Sequence, residues 1–213
     1  MKISMKFLNI DQIIKLDANN SKMYIKEILK ANKNEWLSFA KGIANSVVIT
    51  QQNIPQFSNM NDATANVVSV ILRNGNDGFS FQRIGKYLLP KGKKTGAYTK
   101  YGENHSKFAS LLGLTLIHED NKTKRVYVTE FGKAFNSITD NEKKDVVSKL
   151  LLLIPYINKI IFLNEEIDIK EDLKKYLSSS TAVRRGSNIN TIIKYLREYF
   201  VCEEYYYLKR TKK

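Results

Sequence analysis

The chain has one cysteine, two histidines and few acids, and each scarcity removes a class of function. Cys202 on its own forms no intrachain disulfide and supplies no cysteine set for zinc, so a reducing, cytoplasmic setting is expected. His105 falls on the expected core face of a helix and His118 beside a hairpin, so neither builds a metal or general-base cluster. A glycine-rich phosphate loop is also missing. The segment GKKTG at 92–96 lacks both the preceding strand and the long spacing, and neither ATP nor any other cofactor is expected. The opening MKISMKFLNIDQ lacks the apolar centre of a signal peptide. The longest apolar stretch, from Leu150 to Leu163, is interrupted by Pro155, Asn158 and Lys159, so no membrane partner is expected.

What is present is positive charge on a chain able to fold. Apolar residues make up 43% of 213 positions, enough for one large core or two small ones. Lysine and arginine number 35 against 21 acids, a surplus of +14 that exceeds the needs of solubility and points to a polyanion, most commonly nucleic acid. The abundance of Asn, Ile and Lys also fits a lysine-rich surface inherited from an AT-rich genome.

Hydrophobic spacing divides the chain into three parts. Residues 1–60 read as an N-terminal helical segment or arm of two or three helices, followed by an extended piece from Ser46 to Thr50. Residues 61–139 form a first module. In it Asp62 caps a helix to Arg73, Phe81 to Leu88 make a second helix, and Tyr98 to Leu112 a third. Tyr101, His105, Phe108 and Leu112 should face its core, with Lys100, Glu103, Asn104 and Lys107 outward. Gly113 ends that helix as a left-handed cap, Leu114 to Ile117 pairs with Arg125 to Thr129 around the turn HEDNKTK, and Thr129 caps a short helix to Ser137.

Residues 140–213 hold a connecting helix from Asp140 toward Pro155 and then a second module. Its helices cover Tyr156 to Leu163, Ile169 to Leu177 and Thr181 to Phe200, followed by the strand-prone tail VCEEYYYLKR. Gly186 inside the last helix costs about 1 kcal/mol relative to alanine and marks a kink or a close approach. The expected class is therefore mainly α with small β-hairpin wings, as tandem winged helix-turn-helix modules.

The candidate contacts are those a duplex needs. Arginine bonds guanine and asparagine bonds adenine in pairs of contacts in the major groove, each worth about 1–3 kcal/mol of discrimination. Arg184, Arg185, Ser187 and Asn188 offer this chemistry on one helix, and Lys100, Asn104 and Lys107 on another. Thr99 and Thr181, near helix starts, suit phosphate, as do Lys91, Lys93 and Lys94 in a glycine-flanked loop. Catalytic signals are poorer. Asp168-Ile169-Lys170 and Asp120-Asn121-Lys122 match the short acid-x-Lys spacing of Mg²⁺ nucleases, but Asp168 reads better as a helix cap and Asp120 as part of a hairpin turn.

The segment NHSKFASLLGLTLIHEDNKTKRVYVTEFGKAF resembles the winged-helix recognition modules of type II restriction endonucleases, especially the FokI-type enzymes. The resemblance lies in Leu112-Gly113 at the helix end, the wing strand Val126 to Val128, and the T-x-x-G step of Thr129 and Gly132. SSSTAVRRGSNINTIIKYL is similar to the basic helix near the ends of such modules. The resemblance implies site-specific binding of double-stranded DNA for a restriction system, with cleavage supplied by a separate nuclease domain or subunit. Transcription regulators and replication initiators use the same modules, and a self-contained Mg²⁺ endonuclease is the enzymatic alternative.

Overall fold

A computed structural model describes residues 7–43, 48–120, 123–162 and 167–200. They are mainly helical, with one small two-stranded antiparallel sheet. Three short-to-medium helices come first: α1 (Ile10–Ile13), α2 (Ala18–Lys30) and α3 (Lys33–Ile43). A 3₁₀ turn follows at Gln51–Asn53, then a π-helical turn at Asp62–Asn66 that runs into α4 (Val67–Arg73). Next come α5 (Phe81–Leu88), α6 (Thr95–Leu111), the strands β1 (Thr115–Asp120) and β2 (Thr123–Val128), and α7 (Glu130–Asn136). The chain continues through α8 (Asp140–Leu151), α9 (Pro155–Phe162), α10 (Ile169–Leu173) and α11 (Ser179–Phe200).

Residues 1–60 do not stand as an arm. The chain divides into two compact units, one of residues 1–30 with 56–144 and one of residues 31–55 with 145–213, the last division falling inside α8. The reason is packing. In the first unit α2 lies on α7, with the Tyr24 and Phe131 rings 6.1 Å apart, and Ile13 reaches the turn at Gly113. In the second unit the buried Trp36 donates from Nε1 to the Lys149 carbonyl at 2.7 Å. Lys149 is itself buried, and its ammonium donates to the Ala31 carbonyl at 2.8 Å and meets Asp145 at 3.1 Å.

The first unit is organised by a close crossing of α5 and α6. A Cβ on Gly85 would overlap the Tyr98 carbonyl, and one on Gly102 would overlap the Phe81 carbonyl, so the two helices touch backbone to backbone. Only glycine permits this approach. Ser80 caps α5 by accepting from the Arg83 amide, and Leu89, extended before Pro90, ends it.

Helix α6 stops in a Schellman turn. The amide of Gly113 (φ 72°) bonds the Ser110 carbonyl at 3.0 Å, and the Leu114 amide bonds Ala109 at 3.0 Å. Thr129 then joins this end to the next helix. Its hydroxyl donates to the Gly113 carbonyl at 2.7 Å and accepts from the Gly132 amide at 2.9 Å. Gly132 is required because the Leu114 carbonyl occupies the place of a side chain there.

The hairpin is longer than its sequence suggests. Thr115 pairs with Val128 and the register continues to Asp120 opposite Thr123, so Asp120 ends β1 instead of lying in a turn. Residues 121 and 122, including the lysine of the 120–122 match, lie outside the described residues. The free edge of β2 is covered by the segment after α4. Phe79 and Val126 exchange amide-to-carbonyl bonds of 3.0 and 2.9 Å, and the Asn76 side-chain amide brackets the Val128 backbone at 2.7 and 3.2 Å. Asn76 sits at φ 52°, a conformation asparagine tolerates better than most residues.

Two smaller readings change. Asp62 does not cap its helix; its carboxylate accepts from the Tyr101 hydroxyl at 2.6 Å and the Asn66 amide at 2.7 Å. The buried face of α6 is wider than Tyr101, His105, Phe108 and Leu112. It takes in Tyr98, Gly102, Ser106 and Ala109, while Tyr101 is only half-buried, because α6 is packed by α5 on one side and by the π turn and β1 on others.

In the second unit α10 packs on α11, whose Ala182, Gly186, Ile189, Ile193, Leu196 and Phe200 are buried. Gly186 lies within the unbroken span of α11, where an added Cβ would meet the Lys170 and Leu173 side chains of α10. A buried Asp172 holds Lys159 at 3.0 Å and Lys175 at 2.8 Å. The expected extended piece is left as irregular chain over Val48 to Thr50, its first part lying outside the described residues. The strand-prone tail, Cys202 included, also lies outside them.

Two stability tests follow from these contacts. Gly102→Ala should cost at least about 3 kcal/mol by wedging α5 from α6, despite alanine's better helix propensity. Gly96→Ala, where an added Cβ meets nothing within 4 Å, should leave stability equal or slightly higher in urea melts. Lys149→Met should cost about 3 kcal/mol, because it strands the Asp145 carboxylate and the Ala31 carbonyl. A loss well under 1 kcal/mol in the same melts would show that water replaces the ammonium.

Candidate nucleic-acid interface

The loop of Lys91, Lys93 and Lys94 is exposed and yet held in place. Tyr98, on the first turns of α6, donates its hydroxyl to the Pro90 carbonyl at 3.1 Å and accepts from the Lys93 amide at 3.0 Å. Gly92 at φ 87° makes the turn. Lys94 is the N-cap of α6 and contributes no side-chain cap, and no acid lies in the first turn. Exposed amides at a helix start favour an anion, and three lysines beside them reinforce that preference.

On α6 the exposed stripe is Gly96, Lys100 and Lys107, with Glu103 half-buried between the lysines. Lys100 meets Glu103 at 3.0 Å and Lys107 meets it at 2.6 Å. Burial opposes ionisation of Glu103, but the hydrogen bonds from Lys107 and Lys100 prevail and its carboxyl sits below the usual range. Asn104 is half-buried beside this stripe. Thr99 is half-buried as well, and its hydroxyl donates to the Thr95 carbonyl at 3.1 Å, so it is already engaged within the helix. From Phe81 to Lys107 the sequence holds Arg83, Lys86, Lys91, Lys93, Lys94, Lys100 and Lys107 against the single acid Glu103.

Helix α11 separates residues that are adjacent in sequence. Arg184 and Ser187 are exposed, on a stripe with Thr191 and Lys194. Arg185 turns inward, where its Nη1 donates to the carbonyls of Gln51 at 2.8 Å and Ile54 at 2.9 Å. It therefore leaves the set of base-reading candidates, since its guanidinium is committed to the loop 51–54. Neither arginine pairs with Glu171 or Asp172, which take lysines instead. Thr181 is half-buried and accepts from the Ser178 hydroxyl at 3.0 Å, and Asn188 is half-buried. Residues missed by the sequence reading include Arg83, whose guanidinium lies 4.0 Å over the Phe79 ring, and Arg125, which donates to the Gly78 carbonyl at 3.1 Å. Both are exposed positions on the flank of the hairpin unit; their spacing in sequence gives no periodic signal.

The acid-x-Lys match at 168–170 does not assemble a site, and the one at 120–122 lies partly outside the described residues. Asp168 caps α10, accepting from the amides of Lys170 at 2.8 Å and Glu171 at 3.2 Å. Among the described residues no group of three His, Cys, Asp or Glu side chains is placed to hold a metal ion, and no helix is long and apolar enough to cross a membrane.

His105 has a structural place. Its Nδ1 lies 2.7 Å from the Tyr101 carbonyl, and Nε2 faces the amides of Ser58 and Asn59 at 3.4 Å each. A carbonyl only accepts and amides only donate, so the ring is neutral with its proton on Nδ1. The Tyr101 ring stacks on it at 3.8 Å, and burial together with the Asp62 contact pushes the Tyr101 hydroxyl up to about 12. Burial lowers the His105 pKa from its ordinary value, outweighing the Tyr101 carbonyl and the Asp62 charge.

No protein-family model, no curated protein and no solved structure matches this chain.

Because the folded pKa of His105 is depressed, the unfolded chain binds its proton first. This contribution to stability is present above pH about 6.5 and is lost as pH falls through the folded value. Melting temperature should therefore fall between pH 7 and pH 5, before most carboxylates titrate. His105→Gln should melt lower at pH 7 and lose most of this dependence; an unchanged slope would remove His105 as its source.

Proposed function

We propose that this chain binds double-stranded DNA with sequence preference, and that α6 is the helix that enters the major groove. One observation carries the reading: the packing order of the first unit. The π turn and α4, the single bridge at Phe79, α5, the pinned lysine loop, α6 and the β1–β2 hairpin follow the order of a winged helix-turn-helix. In that arrangement the second helix of the pair reads the groove. The outer stripe of α6 with the basic loop at its start supports the same orientation, as does the surplus of positive charge.

Phosphate contact falls to Lys91, Lys93 and Lys94 together with the α6 N-terminus, and base contact to Lys100, Asn104 and Lys107. In the second unit the pair α10 and α11 is read as a second helix-turn-helix, with Arg184, Ser187 and Asn188 as its contact residues. The biological setting follows the resemblance of 104–135 and 178–196: target recognition in a restriction endonuclease system, with hydrolysis in a separate nuclease domain or subunit. A nuclease centre within this chain gains no support from Asp168, whose carboxylate serves as a helix cap.

The test is fluorescence anisotropy of the purified chain on duplexes selected from a random pool, at several salt concentrations. Lys93→Ala should weaken selected and random duplexes equally and reduce the salt slope by about 1. Arg184→Ala should weaken the selected duplex about tenfold more than the random one. Absence of duplex binding at low salt would overturn the reading.

A further inference from the structure

We propose that Glu103 is the specificity-determining residue of α6 and selects a cytosine in the major groove. The inference rests on the reading of α6 as the groove helix, and it concerns a residue whose charge opposes DNA. Glu103 is the one acid in a run of seven cations, and it stands at the centre of the outer stripe. An acid in that place weakens attraction to phosphate wherever the helix lands, so its effect on binding is unfavourable unless a base donor meets it.

The geometry fits such a donor. Lys107 holds Oε1 at 2.6 Å and Lys100 holds Oε2 at 3.0 Å, so the carboxylate is fixed from both sides, and each oxygen keeps accepting capacity for another partner. Guanine and thymine offer acceptors at their groove edges and repel a carboxylate. Adenine sets its amine beside the N7 acceptor. Cytosine presents the N4 amine without an adjacent acceptor and is the base a carboxylate tolerates best. The flanking lysines suit the paired guanine, whose O6 and N7 accept. From Lys100 to Lys107 the helix rises about 10 Å, which spans about three base pairs. The stripe thus offers donor, acceptor and donor along the groove.

The two ion pairs have an ordinary explanation as helix-surface contacts, and these contribute little to stability. Base preference separates the two accounts, because a surface ion pair has no influence on it. Selection from a random duplex pool is run with the full chain, with Glu103→Ala and with Glu103→Gln, alongside thermal melts. The wild-type chain should select a cytosine at one position by about tenfold over other bases. Glu103→Ala should lose that preference and bind random duplex several-fold more tightly, with little change in melting temperature. Glu103→Gln should shift the same position toward adenine, since a carboxamide both donates to N7 and accepts from N6. Unchanged base preference in both variants, at any affinity, overturns the inference while leaving α6 as a DNA-binding helix. If the wild-type chain binds no duplex, the underlying reading falls and this one with it.

Discussion

The contact of Gly85 with Tyr98 and of Gly102 with Phe81 fixes the first unit. Two helices in backbone contact have little freedom to rotate or slide, because any shift drives carbonyls into Cα atoms. With α5 thus set, the phase of α6 is set as well: Tyr98, Gly102, His105 and Ala109 turn inward and Lys100, Glu103 and Lys107 turn outward. The lysine loop inherits its position from the same crossing, since Tyr98 is both the contact point on α6 and the anchor of the Lys93 amide. Removing one atom type, Cβ, at two positions therefore determines which charges face solvent.

A second joint closes the other end of α6. The Schellman turn at Gly113 leaves its carbonyl free to accept from the Thr129 hydroxyl, and that hydroxyl oxygen in turn accepts from the Gly132 amide to cap α7. The hairpin is held at its base by this hydroxyl and along its edge by Phe79 and Asn76. The T-x-x-G spacing thus has a physical content: the threonine must reach an amide three residues on, and that residue must lack a side chain because Leu114 lies against it. An isolated two-stranded hairpin is marginal in water, and the third edge segment supplies the pairing it needs.

Much of this architecture was legible because its signals are local. Gly113, Thr129, Pro90 and Pro155 mark ends and starts that the structure keeps, and the periodicities of α4, α5, α8 and α11 survive. What was hidden depends on partners distant in sequence. Asp62 looks like a cap until Tyr101 claims its carboxylate, and the segment 74–79 reads as a break until β2 gives it something to pair with. Residues 1–60 look like one segment because nothing in their composition says that Tyr24 belongs with Phe131 and Trp36 with Lys149. The charge of the candidate interface was visible in the sequence; its division between engaged and outward groups was not.

Arg184 and Arg185 show why the division matters. Successive residues on an α-helix point about 100° apart, so two arginines in a row seldom share a partner. Arg184 faces solvent, whereas Arg185 is turned to the carbonyls of Gln51 and Ile54, and burial together with the charge of Arg184 disfavours its cation. That cost is offset by the bonds to these two carbonyls, the one to Ile54 part-buried, which makes Arg185 a brace for the 51–54 loop. On α6 the same logic operates by spacing of three and four, where Lys100, Glu103 and Lys107 meet on one stripe and act on one another before any ligand arrives. A basic count therefore measures attraction to a polyanion, while the helical phase of each charge decides whether it is available to read one.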